Sequence, residues 1–235
     1  MMNIKTIQKK LHKLGNPENA KTLQRFFKTG PGEYAEGDVF WGIKVPEIRK
    51  VAKECQDIPG EAAAALLRSP VHEQRLLALF ILIHKYKKEH ENEKRRIFEL
   101  YLENIQHVNN WDLVDGSAGH IVGAFLMDKS KTPLYRLAKS NNLWERRIAI
   151  LATFHFIKHG ELSETLIISK ILLADKEDLI HKAVGWMLRE VAKRDMLTAE
   201  TFLKEHYHRM PRTMLRYAIE RFEKSKRQNY LKGNI

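Results

Sequence analysis

Asn109-Asn110-Trp111-Asp112-Leu113-Val114-Asp115-Gly116 opens an apolar run that continues at helical spacing through Ile121, Val122, Ala124, Phe125 and Leu126. Asn109 or Asn110 suits the start of a helix, because a short side-chain oxygen accepts one of the unpaired first-turn N–H groups. Asp112 suits the positive end of the helix dipole. Asp115 is harder to account for. It follows Asp112 by three residues and Trp111 by four, so one helix stripe presents an indole and two carboxylates.

Outward from this stretch, similar runs recur. Arg75, Asp112, Arg147, Lys182 and Arg216 each open a run of small and apolar residues, and they stand 37, 35, 35 and 34 residues apart. A near-constant step filled with two helices is the pattern of stacked helical hairpins, each burying its apolar face against its neighbours. Three residues after each charged residue stand Ala78, Asp115, Ile150, Gly185 and Ile219. Four of the five are small or apolar. A carboxylate at a packing position is the kind of local conflict that marks function.

Elsewhere apolar residues recur at steps of three and four, and two-residue alternation is nearly absent, so the fold class is all-α. Helices are expected over 4–14, 17–28, 45–55, 57–67, 71–88, 91–104, 133–139, 143–158, 163–173, 177–194, 198–208 and 211–222. Gly30 to Asp38 reads as a loop, since glycine and proline at that density cannot propagate a helix. Lys224-Ser225-Lys226-Arg227 is expected to fray.

The 235 residues, 43% of them apolar, can bury one sizeable core, and we read a single domain over 1–235. No apolar run reaches bilayer length, and Met1-Met2-Asn3-Ile4-Lys5 lacks the apolar block of a secretory signal. The expectation is a cytoplasmic protein without a membrane partner. Cys55 is the only cysteine, which excludes an intrachain disulfide and a thiolate zinc cluster. His155 and His159 stand four apart with no acidic companion motif, so we assign no metal and no cofactor. With 41 Lys and Arg against 29 Asp and Glu, the formal charge of +12 favours a polyanionic partner.

In repeat register, Arg75, Arg147, Lys182 and Arg216 form a ladder of cations flanking Asp112 and Asp115, with Trp186 one turn beyond Lys182. Such a ladder suits a phosphate backbone. The alternative is that each cation pairs with an acid in the next hairpin, and Asp112 is itself a candidate partner. Asp115 has its own alternative as a buried, hydrogen-bonded structural acid. Trp41 and Trp144 are placed in the core; Gly116, Gly119 and Gly123 are read as helix-packing positions.

Asn110-Trp111-Asp112-Leu113-Val114-Asp115, Asn142-Leu143-Trp144-Glu145-Arg146-Arg147-Ile148-Ala149-Ile150 and Lys182-Ala183-Val184-Gly185-Trp186-Met187-Leu188-Arg189-Glu190 resemble the AlkD-like DNA alkylation-repair glycosylases. So do Phe40-Trp41-Gly42-Ile43-Lys44-Val45-Pro46 and Met210-Pro211-Arg212-Thr213-Met214-Leu215-Arg216-Tyr217. The resemblance runs from the second helix onward and implies a right-handed superhelical solenoid of HEAT-like helical hairpins. It also implies excision of N3- and N7-alkylated purines from double-stranded DNA by hydrolysis of the N-glycosidic bond. By resemblance Asp115 is the catalytic aspartate, Trp111 and Trp186 are the aromatic pair packing on the deoxyribose, and Arg147 contacts phosphate. Arg75, Lys182 and Arg216 follow as further DNA contacts from the register, and Asp112 is a supporting residue.

The chemistry fits a single carboxylate. An alkylated base already carries positive charge and leaves without a general acid, so one anion suffices to stabilise an oxocarbenium-like sugar and orient water. The sequence also departs from the family pattern. Characterised members carry two adjacent tryptophans before the aspartate, where this chain has Asn110, and Lys44 replaces a glutamine of some members. Three readings stay open: a glycosylase acting as a monomer, a non-catalytic binder of branched or distorted DNA, and a HEAT-type protein-interaction scaffold.

Overall fold

The computed structural model describes residues 3–235. Met1-Met2, the first residues of the stretch read for a secretory signal, lie outside it. The chain is all-helical, and among the described residues the one β-type pairing is an isolated parallel bridge between Val39 and Val71. Among those residues no helix is long and apolar enough to cross a membrane. The chain divides into two compact units, Met1–Ser117 and Ala118–Ile235.

Unit 1 contains α1 (Ile4–Lys13), α2 (Pro17–Phe26), α3 (Val45–Glu54), α4 (Gly60–Leu67), α5 (His72–Lys88), α6 (Glu91–Glu103) and nearly all of α7 (Trp111–Ala118). Asn3 and Asn16 cap α1 and α2, each side-chain oxygen accepting an N–H three residues on. Each cap contributes about 1 kcal/mol. Its centre is α5, which is buried on every side from His72 to Ile83 and packs on α3, α4 and α6. A helix enclosed all round has no solvent face on which to place charge, so its polar residues must be paired. Glu73 does this with backbone: its carboxylate accepts the N–H groups of Trp41 (3.0 Å), Gly42 (2.7 Å) and Ile43 (3.2 Å). Gly42 has φ +80°, and a Cβ there would lie 2.1 Å from the Asn16 carbonyl oxygen. Only glycine fits that turn.

Unit 2 contains α8 (Ala124–Leu126), α9 (Thr132–Ala138), α10 (Leu143–Lys158), α11 (Ser163–Ile171), α12 (Asp178–Ala192), α13 (Met196–His206), α14 (Arg212–Ala218) and α15 (Lys224–Lys232). Asn142 and Asp195 cap α10 and α13. Helix α10 packs on α9, α11 and α12, and α12 packs on α13 and α14, so each long helix touches its neighbours in chain order.

Several boundaries differ from the sequence expectation. The run after Asn109 is not one continuous α-helix: a π-helical turn, Gly119–Gly123, follows α7 and packs on α10. A Cβ on Gly123 would lie 2.1 Å from the Ala152 carbonyl oxygen, so glycine sets this close approach. Gly119 and Gly116 are at ordinary contact distances. The 224–227 segment does not fray but begins α15, because Tyr230 is buried and Lys226 pairs with Glu200. Trp144 is buried as expected, whereas Trp41 is half-exposed, its ring meeting the edge of His12.

Candidate functional site

In unit 1, helix α7 begins where Asn110, fully buried, uses its backbone carbonyl to accept the Val114 N–H (3.1 Å). Its side-chain oxygen accepts the Trp111 N–H (2.8 Å). Trp111 is half-exposed and stacks on Phe27, centroids 5.0 Å apart and 18° from parallel. Phe26 meets the same indole edge-on at 5.8 Å and is 61% exposed. Behind Phe27 the stack continues through Phe40 (5.1 Å) to the ring of His72 (4.4 Å). Each such pair contributes roughly 0.5–1.5 kcal/mol beyond its buried area, which makes Trp111 a rigid aromatic surface.

Asp115 lies one turn after Trp111 and is half-exposed rather than sunk among aliphatic groups. Two residues later Ser117 donates to the Leu113 carbonyl (2.6 Å) and meets the Tyr101 hydroxyl at 3.0 Å. Burial pushes the Tyr101 phenol far above its ordinary pKa. The Ser117 bond opposes this, and the charge of Asp115 adds to it. Asp115 thus sits with one side toward solvent and its charge felt by the buried phenol.

Asp112 is committed elsewhere. One oxygen bonds His72 Nε2 at 2.8 Å and the other accepts the Leu113 N–H at 2.9 Å. His72 Nδ1 lies 3.4 Å from Asp38, and Arg75 Nη2 lies 2.7 Å from the same Asp38 oxygen. Arg75 also donates to the carbonyls of Ser69 (3.0 Å) and Pro70 (3.2 Å). At 3% exposure Arg75 is an internal cation of the enclosed helix α5.

In unit 2, Trp186 is half-exposed on α12. Its Nε1 donates to Glu190 (3.2 Å), and its ring lies 5.8 Å from Phe154. Lys182 is half-exposed and pairs with Asp178 at 2.7 Å, and Arg216 is exposed on α14. Arg147 is only 5% exposed and donates Nη1 to the Leu179 carbonyl. Within their own units Arg75 and Arg147 are buried, Lys182 is half-exposed and Arg216 is exposed. His155 and His159 have centroids 4.3 Å apart, and burial with neighbouring histidines pushes His155 down to about 4. Among the described residues no three His, Cys, Asp or Glu side chains gather as a metal site.

A sequence profile of the DNA alkylation repair enzymes matches residues 7–222. The chain belongs to the DNA alkylation repair enzyme family. A solved structure described as a predicted DNA alkylation repair enzyme from Enterococcus faecalis is similar in fold. It has a TM-score of 0.68 at 20% identity over 89% of this chain and 97% of that one. No curated protein matches the sequence.

For this DNA alkylation repair protein, sequence reasoning picked out Trp111, Asp112 and Asp115, which share one helix. It missed Phe26, Phe27, His72 and Asp38. The adjacent Phe26-Phe27 carried a usable signal, because two neighbouring aromatics at the end of one amphipathic helix cannot both face its core. His72 carried none, since its partners stand 34 and 40 residues away.

Proposed function

We propose that this protein is a DNA glycosylase that releases positively charged N3- and N7-alkylated purines from duplex DNA. The observation that supports it most is Asp115, half-exposed on the face of α7 that also carries the stacked indole of Trp111. In the reaction the C1′–N bond breaks and its electron pair passes to the base, discharging the cation. Water oxygen bonds C1′, and its proton leaves through the carboxylate to solvent. The products are a free neutral base and an abasic site. Asp115 stabilises the developing oxocarbenium charge and orients the water. The electron-rich face of Trp111 favours the same positive charge.

Phosphate contacts fall to the accessible cations Lys182 and Arg216, with Trp186 as the aromatic surface of unit 2. Neighbour-to-neighbour packing within each unit supports HEAT-like hairpins as the underlying architecture. A second reading, binding of branched DNA without excision, draws on Asn110, which stands, fully buried, where the glycosylases that the sequence resembles carry a further tryptophan. Chromatography of free 7-methylguanine and 3-methyladenine from methylated duplex DNA separates the two. The glycosylase reading expects release by the intact protein. Tight binding to junction DNA with no base released supports the second.

A further inference from the structure

Unit 1 encloses one group of charges that the chemistry above leaves unused: Asp38, His72, Arg75 and Asp112. His72 is 2% exposed, and each of its ring nitrogens faces a carboxylate, Nε2 to Asp112 at 2.8 Å and Nδ1 to Asp38 at 3.4 Å. A neutral imidazole carries one N–H, so a neutral ring would turn a lone pair toward one of these anions. The imidazolium alone offers a donor to both. Burial acts to lower the His72 pKa. Asp112 and Asp38 outweigh it, with Arg75 opposing them, and the balance lies above the ordinary value. Burial likewise acts to raise Asp38, yet His72 and Arg75 hold its carboxyl below the usual range. Two cations and two anions thus close a neutral group. Removing one member from such a buried set costs far more than the set contributes intact.

The group grips α7 at a specific place. Asp112 belongs to its first turn, next to Trp111 and three residues before Asp115. The ring that holds it stacks on Phe40, which stacks on Phe27, on which Trp111 lies. The hydrogen bond and the stack converge on the same turn from α5 and from the end of α2. We propose that His72 is a positioning residue for Trp111 and Asp115: its ring, bonded to Asp112 and facing Asp38, fixes the first turn of α7 against the Phe27 and Phe40 rings. The catalytic consequence rests on the glycosylase reading; the geometric one does not.

The hold depends on pH. The charged groups facing His72 are Asp38 from the loop after α2, Arg75 from its own helix and Asp112 from α7; Phe27 and Phe40 carry none. Because the folded pKa of His72 is raised, the contribution of its imidazolium is present below the ordinary histidine value while the facing carboxylates are ionised, and it is lost as pH rises through the folded value.

Two arms test this on the full chain. The Trp111 indole N–H resonance, assigned with Trp111→Phe, is expected to shift in His72→Gln. In the parent it should also shift as His72 deprotonates, a response absent from His72→Gln. Single-turnover release of 7-methylguanine should fall roughly tenfold to a hundredfold in His72→Gln with DNA affinity kept, as expected for a displaced catalytic group. Should that variant fail to fold, His72→Gln with Asp112→Asn replaces the ion pair by two amides that can bond each other. Either variant leaving the indole resonance and its pH response as in the parent overturns the proposal, and so does loss of affinity in step with rate. A parent protein that releases no base refutes the glycosylase reading instead, and the indole resonance alone then decides the positioning.

Discussion

Arg75 looks from the sequence like a surface cation, and its burial turns the same charge to another use. Its guanidinium faces Asp38 and bonds two carbonyls inside unit 1. Arg75→Ala should therefore cost about 3–5 kcal/mol in denaturant unfolding, because Asp38 and His72 lose a member of their closed group. The salt dependence of DNA binding should stay as it was. A small loss of stability with a shallower salt slope would instead mark Arg75 as a phosphate contact. Legibility at this scale followed the range of the interaction. Trp111, Asp112 and Asp115 share a helix, so their common face can be read from spacing, whereas the Asp38–His72–Asp112 chain joins three separate elements. Nothing local in a sequence says that a histidine after Ser69-Pro70-Val71 will sit between two carboxylates.

Helices were the most legible elements because three- and four-residue apolar steps are local signals, and α2 and α10 start at Pro17 and Leu143, where the sequence reading put them. The π-helical turn was not legible. It depends on how closely Gly123 approaches α10, a tertiary fact. α15 escaped because its polar, basic sequence carries no amphipathic pattern and is held by one buried tyrosine and the Lys226–Glu200 pair. Glycine substitutions probe this scale. In Gly123→Ala the new Cβ would stand 2.1 Å from the Ala152 carbonyl oxygen, and in Gly185→Ala 2.5 Å from that of Met214. Both obstacles are backbone, so no rotamer relieves them. Each variant should lose about 1–3 kcal/mol by thermal or denaturant unfolding. Gly116→Ala meets only a Phe80 side-chain atom at 3.8 Å and should gain about 0.5–1 kcal/mol from helix propensity. An unchanged Gly123→Ala would contradict the close approach.

For the whole molecule the sequence supplies the sum of charges, +12, but not which of them are already paired. Arg75 is spent internally, Arg146 on Asp175 and Arg189 on Glu220, so the charge available to a polyanion is carried by fewer positions than the composition suggests. Arg216 is among those exposed. If it contacts phosphate, Arg216→Ala should weaken DNA binding similarly across sequences and lower the slope of log K against log salt by about 1. A slope unchanged in this variant would remove Arg216 from the interface. The central claim is that the half-exposed carboxylate of Asp115 carries the bond-breaking step. The direct measurement is single-turnover release of 7-methylguanine from a duplex holding one such lesion, with DNA affinity measured in parallel, for the parent protein and Asp115→Asn. The account predicts that release is abolished in the variant while affinity is retained; release at the parent rate would contradict it.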